Sequence, residues 1–472
     1  MLDRFGCAVA CGCFVVALGG CRSASEGSPQ REIASVARDV ATRTGAVPVE
    51  PTCDDGAGAA WRGLLTAGPL TEDRAVKIAL LHNASVRESY ERLGVARAEL
   101  LQAGLVSNPV FAASLKSFAS GPELELGLLS SFVELFFVPL RRRVASADLC
   151  AVEAQVAREL VHLVYEVRRA LVMVRGAEAV ATVRREALGA VTTARDLMRK
   201  LHAAGNVRDA DLTIEEVGAA RARLEADAAE ATARDARETV NVLLGLGASD
   251  AGWMLEGTNP PLLAARPTDA EARALAASLE LLEEDARIAA ALESAGLACR
   301  RGALPGLDLG VAVKREAGDG AWGVGPAVSA SLPIFDQGRA KVLASNALAR
   351  GHAARREQAA IEVASAARRF AARANVLHER ERYLREVYLP LRVRYVVDTV
   401  QTYNGMQIGA FDVLDAKEGE ADARREYAET LASAWLAELD LAELLAGSLD
   451  RARLEAPRFP ERTERPMPPK GH

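Results

Sequence analysis

The clearest alternation of apolar and polar positions lies between Ala321 and Arg339, in the stretch AWGVGPAVSASLPIFDQGR. Alternate residues from Trp322 to Leu332 are apolar, and the residues between them are Gly, Ala or Ser. A period of two places these sets on opposite faces of a strand. The small-residue face carries no charge, which suits a barrel with lipid outside and a narrow wet lumen, although a soluble sheet remains an alternative. Pro333 ends the strand and a helical sequence begins near Arg339, which predicts a joint between a strand and a long helix.

Three further strands are predicted from the same kind of alternation. They cover Val110–Phe118, 123–134 and Leu307–Arg315, and turn residues stand between the members of each pair. In the last of these strands, four apolar residues alternate with Asp308, Gly310, Ala312 and Lys314. The chain is therefore expected to contain two hairpins.

Long helices are predicted around these hairpins. The first hairpin is expected between a helix at 74–106 and a helix at 139–201, and a return helix follows at 207–244. Thr71 is the predicted N-cap of the helix at 74–106. The second lies between helices at 268–301 and 339–402, where Pro390 should cause a kink, and a return helix runs to about residue 445. Gly205 and Gly405 are expected to form the turns before the two return helices. Apolar residues spaced by three and four predict a coiled-coil seam in the helix at 139–201: Leu149, Val152, Val156, Leu160, Leu163, Val167, Leu171 and Val174.

The order of elements repeats, which indicates a duplication. Val138-Pro139-Leu140 corresponds to Leu332-Pro333-Ile334, and Glu166-Val167 corresponds to Glu362-Val363. The predicted fold class is mainly α with a small β part, in a helix-strand-strand-helix unit present twice. The predicted organisation is a signal peptide at 1–20, an extended leader at 21–70, repeats at 71–267 and 268–447, and a disordered tail at 448–472.

Composition and charge narrow the possible classes of protein. Hydrophobic residues make up 50% of the 472 residues but aromatic residues only 5%, which favours closely approaching alanine-rich helices over a bulky core. The net charge of −6 gives no indication of a nucleic-acid partner. No stretch offers 18 consecutive apolar residues, so no transmembrane helix is predicted.

The N-terminus predicts export and lipidation. The apolar run Gly6–Leu18 is too short to span a bilayer and suits a signal peptide. It ends in Leu18-Gly19-Gly20-Cys21, which resembles a bacterial lipobox with Cys21 as the lipid anchor, as in a palmitoylated lipoprotein; an uncleaved apolar tail is the alternative. Cys53, Cys150 and Cys299 remain after cleavage and offer no disulfide framework or metal spacing.

The duplicated unit and the LPIFDQGR joint, with Pro333, Phe335 and Gly338, resemble the TolC-type outer-membrane efflux protein family over residues 70–446. The resemblance implies a homotrimer in which each chain gives four strands to a twelve-stranded β-barrel, continued by a coiled-coil α-barrel in the periplasm. It implies an outer-membrane channel in a Gram-negative cell, anchored by lipid, that works with a periplasmic adaptor protein and an inner-membrane pump in efflux or secretion.

The resemblance also implies roles for residues near the helix turns. In the family, residues matching Asp211 and Tyr403 help close the periplasmic end. Those matching Asp412 and Asp415 form carboxylate rings in the pore. The resemblance also implies that the turns at Gly205 and Gly405 contact the adaptor. A basic residue of the family's closed state is replaced here by Ile408.

The residues themselves leave simpler roles open. Asp412 and Asp415 are three apart and so share a helix face, where threefold symmetry would stack two rings of like charge. Alternatively both residues complement the dipole in the first turns of a helix. Asp211 and Tyr403 could likewise serve only in capping or packing.

Other classes of function find less support. The six histidines show no ligand spacing and no catalytic motif is present, so neither an enzyme, a metal site nor a cofactor is expected. A periplasmic adaptor or structural coiled-coil lipoprotein without a pore is the alternative, although two hairpins and two strand pairs argue against it. The sequence does not indicate whether drugs, metal ions or other small molecules would be transported.

Overall fold

Long helices and one small sheet account for most of the chain in the computed structural model. The structure describes residues 28–46, 57–118, 121–256, 262, 269–316 and 320–454. The first half contains α1 (Gln30–Thr44), α2 (Ala57–Thr66), α3 (Glu72–His82), α4 (Ala84–Ala103), β1 (Val110–Phe118), β2 (Gly121–Ser131), α5 (Glu134–Ala203) and α6 (Asp209–Leu244). The second half contains α7 (Ala270–Ala277), α8 (Leu279–Ala303), β3 (Gly306–Arg315), β4 (Trp322–Ser331), α9 (Arg339–Tyr383), α10 (Leu389–Asn404) and α11 (Ala410–Ala446). None of the helices in the described part of the chain combines the length and apolar character needed to cross a bilayer.

The chain divides into two compact units that cut across the repeat. One unit comprises residues 1–53, 84–160 and 279–360, and the other comprises residues 54–83, 161–278 and 361–472. Each unit therefore contains segments from both copies of the duplicated sequence. The sheet lies in the first unit, and both turns that precede the return helices lie in the second.

The four strands pair in the order β1-β2-β3-β4, each antiparallel to the next. Leu128 lies between Phe111 and Val311, and Val313 lies between Leu126 and Val324, so most large apolar side chains of the four strands share one face. Val110, Phe118 and Leu129 are the exceptions. The opposite face carries small and charged residues, among them Glu123 and Lys314, whose carboxylate oxygen and Nζ are 3.3 Å apart. The predicted alternation is confirmed, and the register pairs Val311 with Pro326.

Two predicted helices are each interrupted at one residue. The helix expected at 74–106 breaks at Asn83, and the one expected at 268–301 breaks at Ser278. Both residues have extended backbones, with ψ of 129° and 114°. The Asn83 side chain donates to the Leu243 carbonyl at 2.8 Å, a tertiary contact that local propensity does not reveal. Thr71 is the N-cap of α3, as predicted, because its hydroxyl accepts from the Arg74 N–H at 3.2 Å.

The leader and the first long helix also differ from expectation. Residues 21–70 were expected to be extended, but α1 and α2 lie within them, and α1 buries Val36, Ala37 and Val40 along one stripe. The helix expected from Pro139 begins five residues earlier, at Glu134, so Pro139 lies within its first turns. A 3₁₀ turn, Arg451–Leu454, opens the tail expected to be disordered, and residues 455–472 lie outside the described residues.

Pro390 disturbs its helix in the predicted region through a π-helical turn at Leu384–Tyr388. Pro390 has no N–H to donate to the carbonyl of Glu386, four residues earlier. The chain widens instead, and the Leu389 N–H donates to the carbonyl of Leu384, five residues earlier. Helix geometry resumes in α10.

Small side chains build much of the packing in the second unit. A cluster of nine buried residues joins α7, α9 and the end of α11 with the residues just after it, and it includes four alanines: Ala270, Ala274, Val363, Ala366, Ala367, Phe370, Leu441, Leu444 and Leu449. A Cβ on Gly176 would lie 2.9 Å from that of Ala432, so these two helices approach closely at that level. The alanine-rich composition thus allows helices to pack closely, as predicted. Six of the eight predicted seam residues are buried, the exceptions being Val152 and Leu163.

Candidate functional site

The turn after α5 is built as the sequence predicts. Gly205 has a left-handed backbone, with φ of 76°. Its N–H donates to the His202 carbonyl at 2.8 Å, and the Asn206 N–H donates to the Leu201 carbonyl at 3.0 Å. These two bonds close the end of the helix and reverse the chain into α6.

The turn after α10 has the same bonds but a different central residue. Gly405 has a φ of −77°, and the left-handed residue is Met406, with φ of 57°. The Met406 N–H donates to the Tyr403 carbonyl at 2.8 Å and the Gln407 N–H donates to the Thr402 carbonyl at 3.2 Å. Gly405 ends α10 as its C-cap, as predicted, but Met406 takes the left-handed conformation of the turn.

This difference changes which residues correspond between the two turns. Asp211 lies six residues after Gly205, and Asp412 lies six residues after Met406. Each is the third residue of its return helix. Aligning the two glycines by sequence hides this equivalence, because Gly405 precedes the true turn residue by one position.

Both aspartates have local partners. A carboxylate oxygen of Asp412 accepts the Gly409 N–H at 3.0 Å, which caps the start of α11. The Arg208 side chain donates to both carboxylate oxygens of Asp211, with Nε at 2.8 Å and Nη2 at 2.9 Å. Hydrogen bonds from Arg208 hold the pKa of Asp211 below its usual range. The alternative left open by the sequence, a carboxylate that serves the first turn of a helix, is thus present for Asp412.

The remaining predicted residues are accessible. Asp415 is exposed, and no hydrogen bond or ion pair holds its carboxylate within the described residues. The Tyr403 side chain is 42% exposed in the last turn of α10. No hydrogen bond joins Tyr403 to Asp211 in the part of the chain that the structure describes.

One pair of carboxylates near the turns was missed by sequence reasoning. Glu215 lies one helical turn beyond Asp211, and Glu418 lies one turn beyond Asp415. Burial, with repulsion from Glu418 as a second cause, raises the pKa of Glu215. Carboxylates of the two return helices therefore approach each other near the turns, and only tertiary packing reveals this.

A buried charge cluster lies at the opposite end of α11. Arg169 Nη1 is 2.6 Å from a carboxylate oxygen of Glu443 and 3.4 Å from one of Asp440, and all three side chains are almost fully buried. His162 Nδ1 is 2.8 Å from the other oxygen of Glu443, and this hydrogen bond raises the pKa of the imidazole. Burial raises the pKa of Asp440. Glu166 completes the cluster by accepting from Arg169 at 2.8 Å.

Three side chains beside this cluster lie close enough to share a cation: His162, Glu166 and Asp450, with ligand atoms within 4.8 Å of one another. Glu166 also accepts from Arg453 at 3.1 Å, in addition to Arg169. Two guanidinium groups therefore already balance this carboxylate.

The strand-to-helix joint is fixed by backbone contacts. A Cβ on Gly338, which has a φ of 75°, would lie 2.6 Å from the Ala298 carbonyl oxygen. A Cβ on Gly302 would lie only 2.0 Å from the Gln337 carbonyl oxygen, so the joint presses against the end of α8. Pro333 lies two residues beyond Ser331, the last paired strand residue, and Phe335 is 98% exposed. Gly302 carries no sequence signal of this role.

Comparisons with known proteins identify the fold. The outer-membrane protein VceC of Vibrio cholerae superposes with a TM-score of 0.65 over 80% of this chain and 97% of its own, at 16% identity. The fold is that of the TolC-type outer-membrane channels. The CmeC outer-membrane channel of Campylobacter jejuni matches this TolC-type fold with a TM-score of 0.68 over 86% of this chain and 90% of its own, at 12% identity. The MtrE outer-membrane channel of Neisseria gonorrhoeae matches it with a TM-score of 0.62 over 80% and 90%, at 17% identity. No family model and no curated protein matches the sequence.

Proposed function

We propose that the chain is the outer-membrane exit duct of a tripartite efflux or secretion system in a Gram-negative bacterium. It conducts small molecules, drugs or metal ions passively and has no catalytic step. The observation that carries this proposal is the sheet, which has most of its large apolar side chains on one face across all four strands and all of its charged residues except Arg315 on the other. The similarity to proteins described as outer-membrane channels supports the same conclusion.

The sheet is incomplete in a single chain. β1 and β4 each have one edge without a partner among the described residues. Unpaired edges and an exposed apolar face are unfavourable in water, and a closed barrel in lipid satisfies both. Three copies that pair β4 of one with β1 of the next form a twelve-stranded barrel, with the apolar face toward lipid.

In this proposal the two helix turns form the periplasmic entrance. Asp412 and Asp415 give two rings of carboxylates, Asp211 and Tyr403 contribute to closure, and the turns at Gly205 and Gly405 contact the adaptor, which connects the duct to an inner-membrane pump. Cys21, which lies outside the described residues, anchors the chain to the outer membrane by lipid.

The decisive experiment is extraction and reconstitution of the full chain. We expect detergent to be required for extraction, native mass spectrometry to show three copies, and planar bilayers to show discrete conductance steps. A chain that stays in solution after removal of its lipid and gives no conductance would instead support the periplasmic adaptor or structural lipoprotein.

The anchor is tested separately. Cys21→Ser should abolish labelling by a radioactive fatty acid, because the thiol is the site of acylation. Mass spectrometry of the mature chain should find its first residue at position 21. A mature chain that begins elsewhere would contradict the anchor without affecting the channel.

A further inference from the structure

An unusual concentration of positive charge borders the sheet. The segments that adjoin the strand ends, residues 100–109, 132–143, 296–305 and 332–341, contain seven basic residues and two acidic ones, a net charge of +5 in a chain whose net charge is −6. We call the seven the basic belt: Arg141, Arg142, Arg143, Arg300, Arg301, Arg339 and Lys341.

Contacts place the belt at one end of the first unit. Arg301 and Arg141 each hold one carboxylate oxygen of Glu134, at 2.6 and 2.7 Å, and Arg141 also donates to the Leu105 carbonyl at 2.7 Å. The starts of α5 and α9 and the ends of α4 and α8 therefore meet directly below the sheet.

Most belt residues are cations without a neighbouring counter-charge among the described residues. Arg142, Arg143, Arg300, Arg339 and Lys341 are exposed, and none has a hydrogen bond or ion pair within the described residues. Glu134 is already held by two arginines, and Asp336 accepts the Gly338 N–H at 2.9 Å. The acidic residues nearby thus leave five cations uncompensated.

The belt continues directly from the apolar face of the sheet. Val133, Phe137 and Leu140 form a buried cluster that also contacts Leu307, an apolar-face residue of β3. The Arg301 guanidinium lies 5.6 Å from the centre of the Phe137 ring. Leu332, Ile334 and Phe335, which follow the last strand, are also exposed apolar residues.

A polar cavity of about 630 Å³ lies within this border. Its lining includes Arg301 and Lys341 together with the hydroxyls of Ser294 and Ser345. The carboxylates of Glu134 and Asp336 also line it, but two arginines already hold Glu134, and Asp336 accepts the Gly338 N–H. A cavity that combines cationic and hydroxyl donors and lies beside an apolar surface fits a phosphate headgroup whose acyl chains follow the sheet.

We propose that the basic belt binds the headgroups of anionic phospholipids in the leaflet that faces the helices. This inference rests on the proposed function, because the apolar face must lie in a bilayer. Juxtamembrane Arg and Lys side chains attract anionic lipid within about one Debye length of the surface. The bound lipid would set the depth of the sheet in the membrane.

The test equilibrates the detergent-purified full chain with equal amounts of phosphatidylglycerol and phosphatidylcholine and measures the retained lipids by mass spectrometry. We expect enrichment of phosphatidylglycerol that disappears at about 1 M NaCl, where charge interactions are screened. The variant R142Q/R143Q/R339Q/K341Q should lower the enrichment roughly fivefold or more. The control R185Q/R221Q/R223Q/R394Q, which removes four exposed cations of the second unit, should leave it unchanged.

Three outcomes would overturn the inference. They are equal retention of both lipids by the wild type, an equal loss in the control variant, and abolition of the preference by inorganic phosphate at constant ionic strength, which would indicate a site for the free anion. Conductance in phosphatidylcholine bilayers is measured in parallel. A chain that conducts without lipid preference refutes only the belt, whereas a chain that does not insert refutes the channel.

Discussion

At the scale of single residues, Arg169 has the largest predicted effect on stability. Its guanidinium is buried against Glu443 and Asp440, and removal of one member of a buried ion pair leaves the others uncompensated. Arg169→Met should lower the free energy of unfolding by about 3–5 kcal/mol. Chemical unfolding in detergent measures this. The double variant R169M/E443Q should recover part of the loss, and equal losses in both variants would contradict the ion-pair account.

His162 should make stability depend on pH. Its pKa is raised chiefly by the hydrogen bond to Glu443, so its stabilisation is present below the imidazole's ordinary pKa and is lost as pH rises through the higher folded value. The negative charge of Glu166 also raises the pKa of the imidazole, and the positive charge of Arg169 lowers it. Because 41% of the His162 side chain is exposed, screening limits the effect to about 0.5–1 kcal/mol.

The measurement compares thermal unfolding near pH 5.5 and near pH 8.5, which lie on either side of the imidazole's ordinary pKa of roughly 6.5. His162→Gln should flatten the pH dependence. His378→Gln serves as the control, because the Nδ1 of His378 has no hydrogen-bond partner among the described residues. The same flattening in both variants would show that another group titrates.

At the scale of elements, local pattern predicted the strands and long helices well, because each carries many consistent positions. The period of two extends across all of β3 and β4, and both copies repeat it. The breaks at Asn83 and Ser278 could not be found, because each depends on one residue within a helical pattern. The turn after α10 was predicted, but the left-handed conformation of Met406 was not, because glycine is the usual left-handed residue and methionine gives no signal.

The two turns should respond oppositely to substitution. Met406→Gly should stabilise the protein by about 1 kcal/mol, since a side chain is unfavourable in the left-handed conformation, and Gly205→Ala should destabilise it by a similar amount. Thermal unfolding of both variants measures this. Destabilisation by Met406→Gly would mean that the exposed methionine side chain has a role in folding.

The two faces of the sheet should differ in their tolerance of charge. Val311 lies on the apolar face, and Val311→Lys should reduce insertion, at a cost of about 2–4 kcal/mol near the bilayer midplane. The neighbouring Ala312→Lys, on the opposite face, is the matched control. Gly310 is unsuitable, because a Cβ there would lie 2.0 Å from the Leu128 carbonyl oxygen. The amount of each variant in the outer-membrane fraction decides the question, and equal loss in both would refute the assignment of the lipid face.

At the scale of the whole molecule, the proposed threefold duct gives Asp412 and Asp415 a role in ion selectivity that a single chain does not show. The variant D412N/D415N keeps an acceptor for the Gly409 N–H while it removes charge from both rings. We expect lower cation preference and weaker block by multivalent cations in single-channel recordings, because closely spaced like charges create the field of a pore. D227N/D235N, which removes two exposed carboxylates of α6 farther from the turn, is the control. Unchanged selectivity in D412N/D415N would leave Asp412 with capping alone.

The π-helical turn at Leu384–Tyr388 shows how the two copies have diverged in length. From Glu166 to Gly205 there are 39 steps along the chain, and from the matching Glu362 to Met406 there are 44, so the second copy carries five additional residues. Four of these residues add about one helical turn, so the buried side chains stay on the same face of the helix. The fifth is accommodated by the π-helical turn, which holds one residue more than an α-helical turn. A chimaera that exchanges these segments would therefore need the π-helical turn transferred with its five residues, or the helix would present the wrong face to its neighbours.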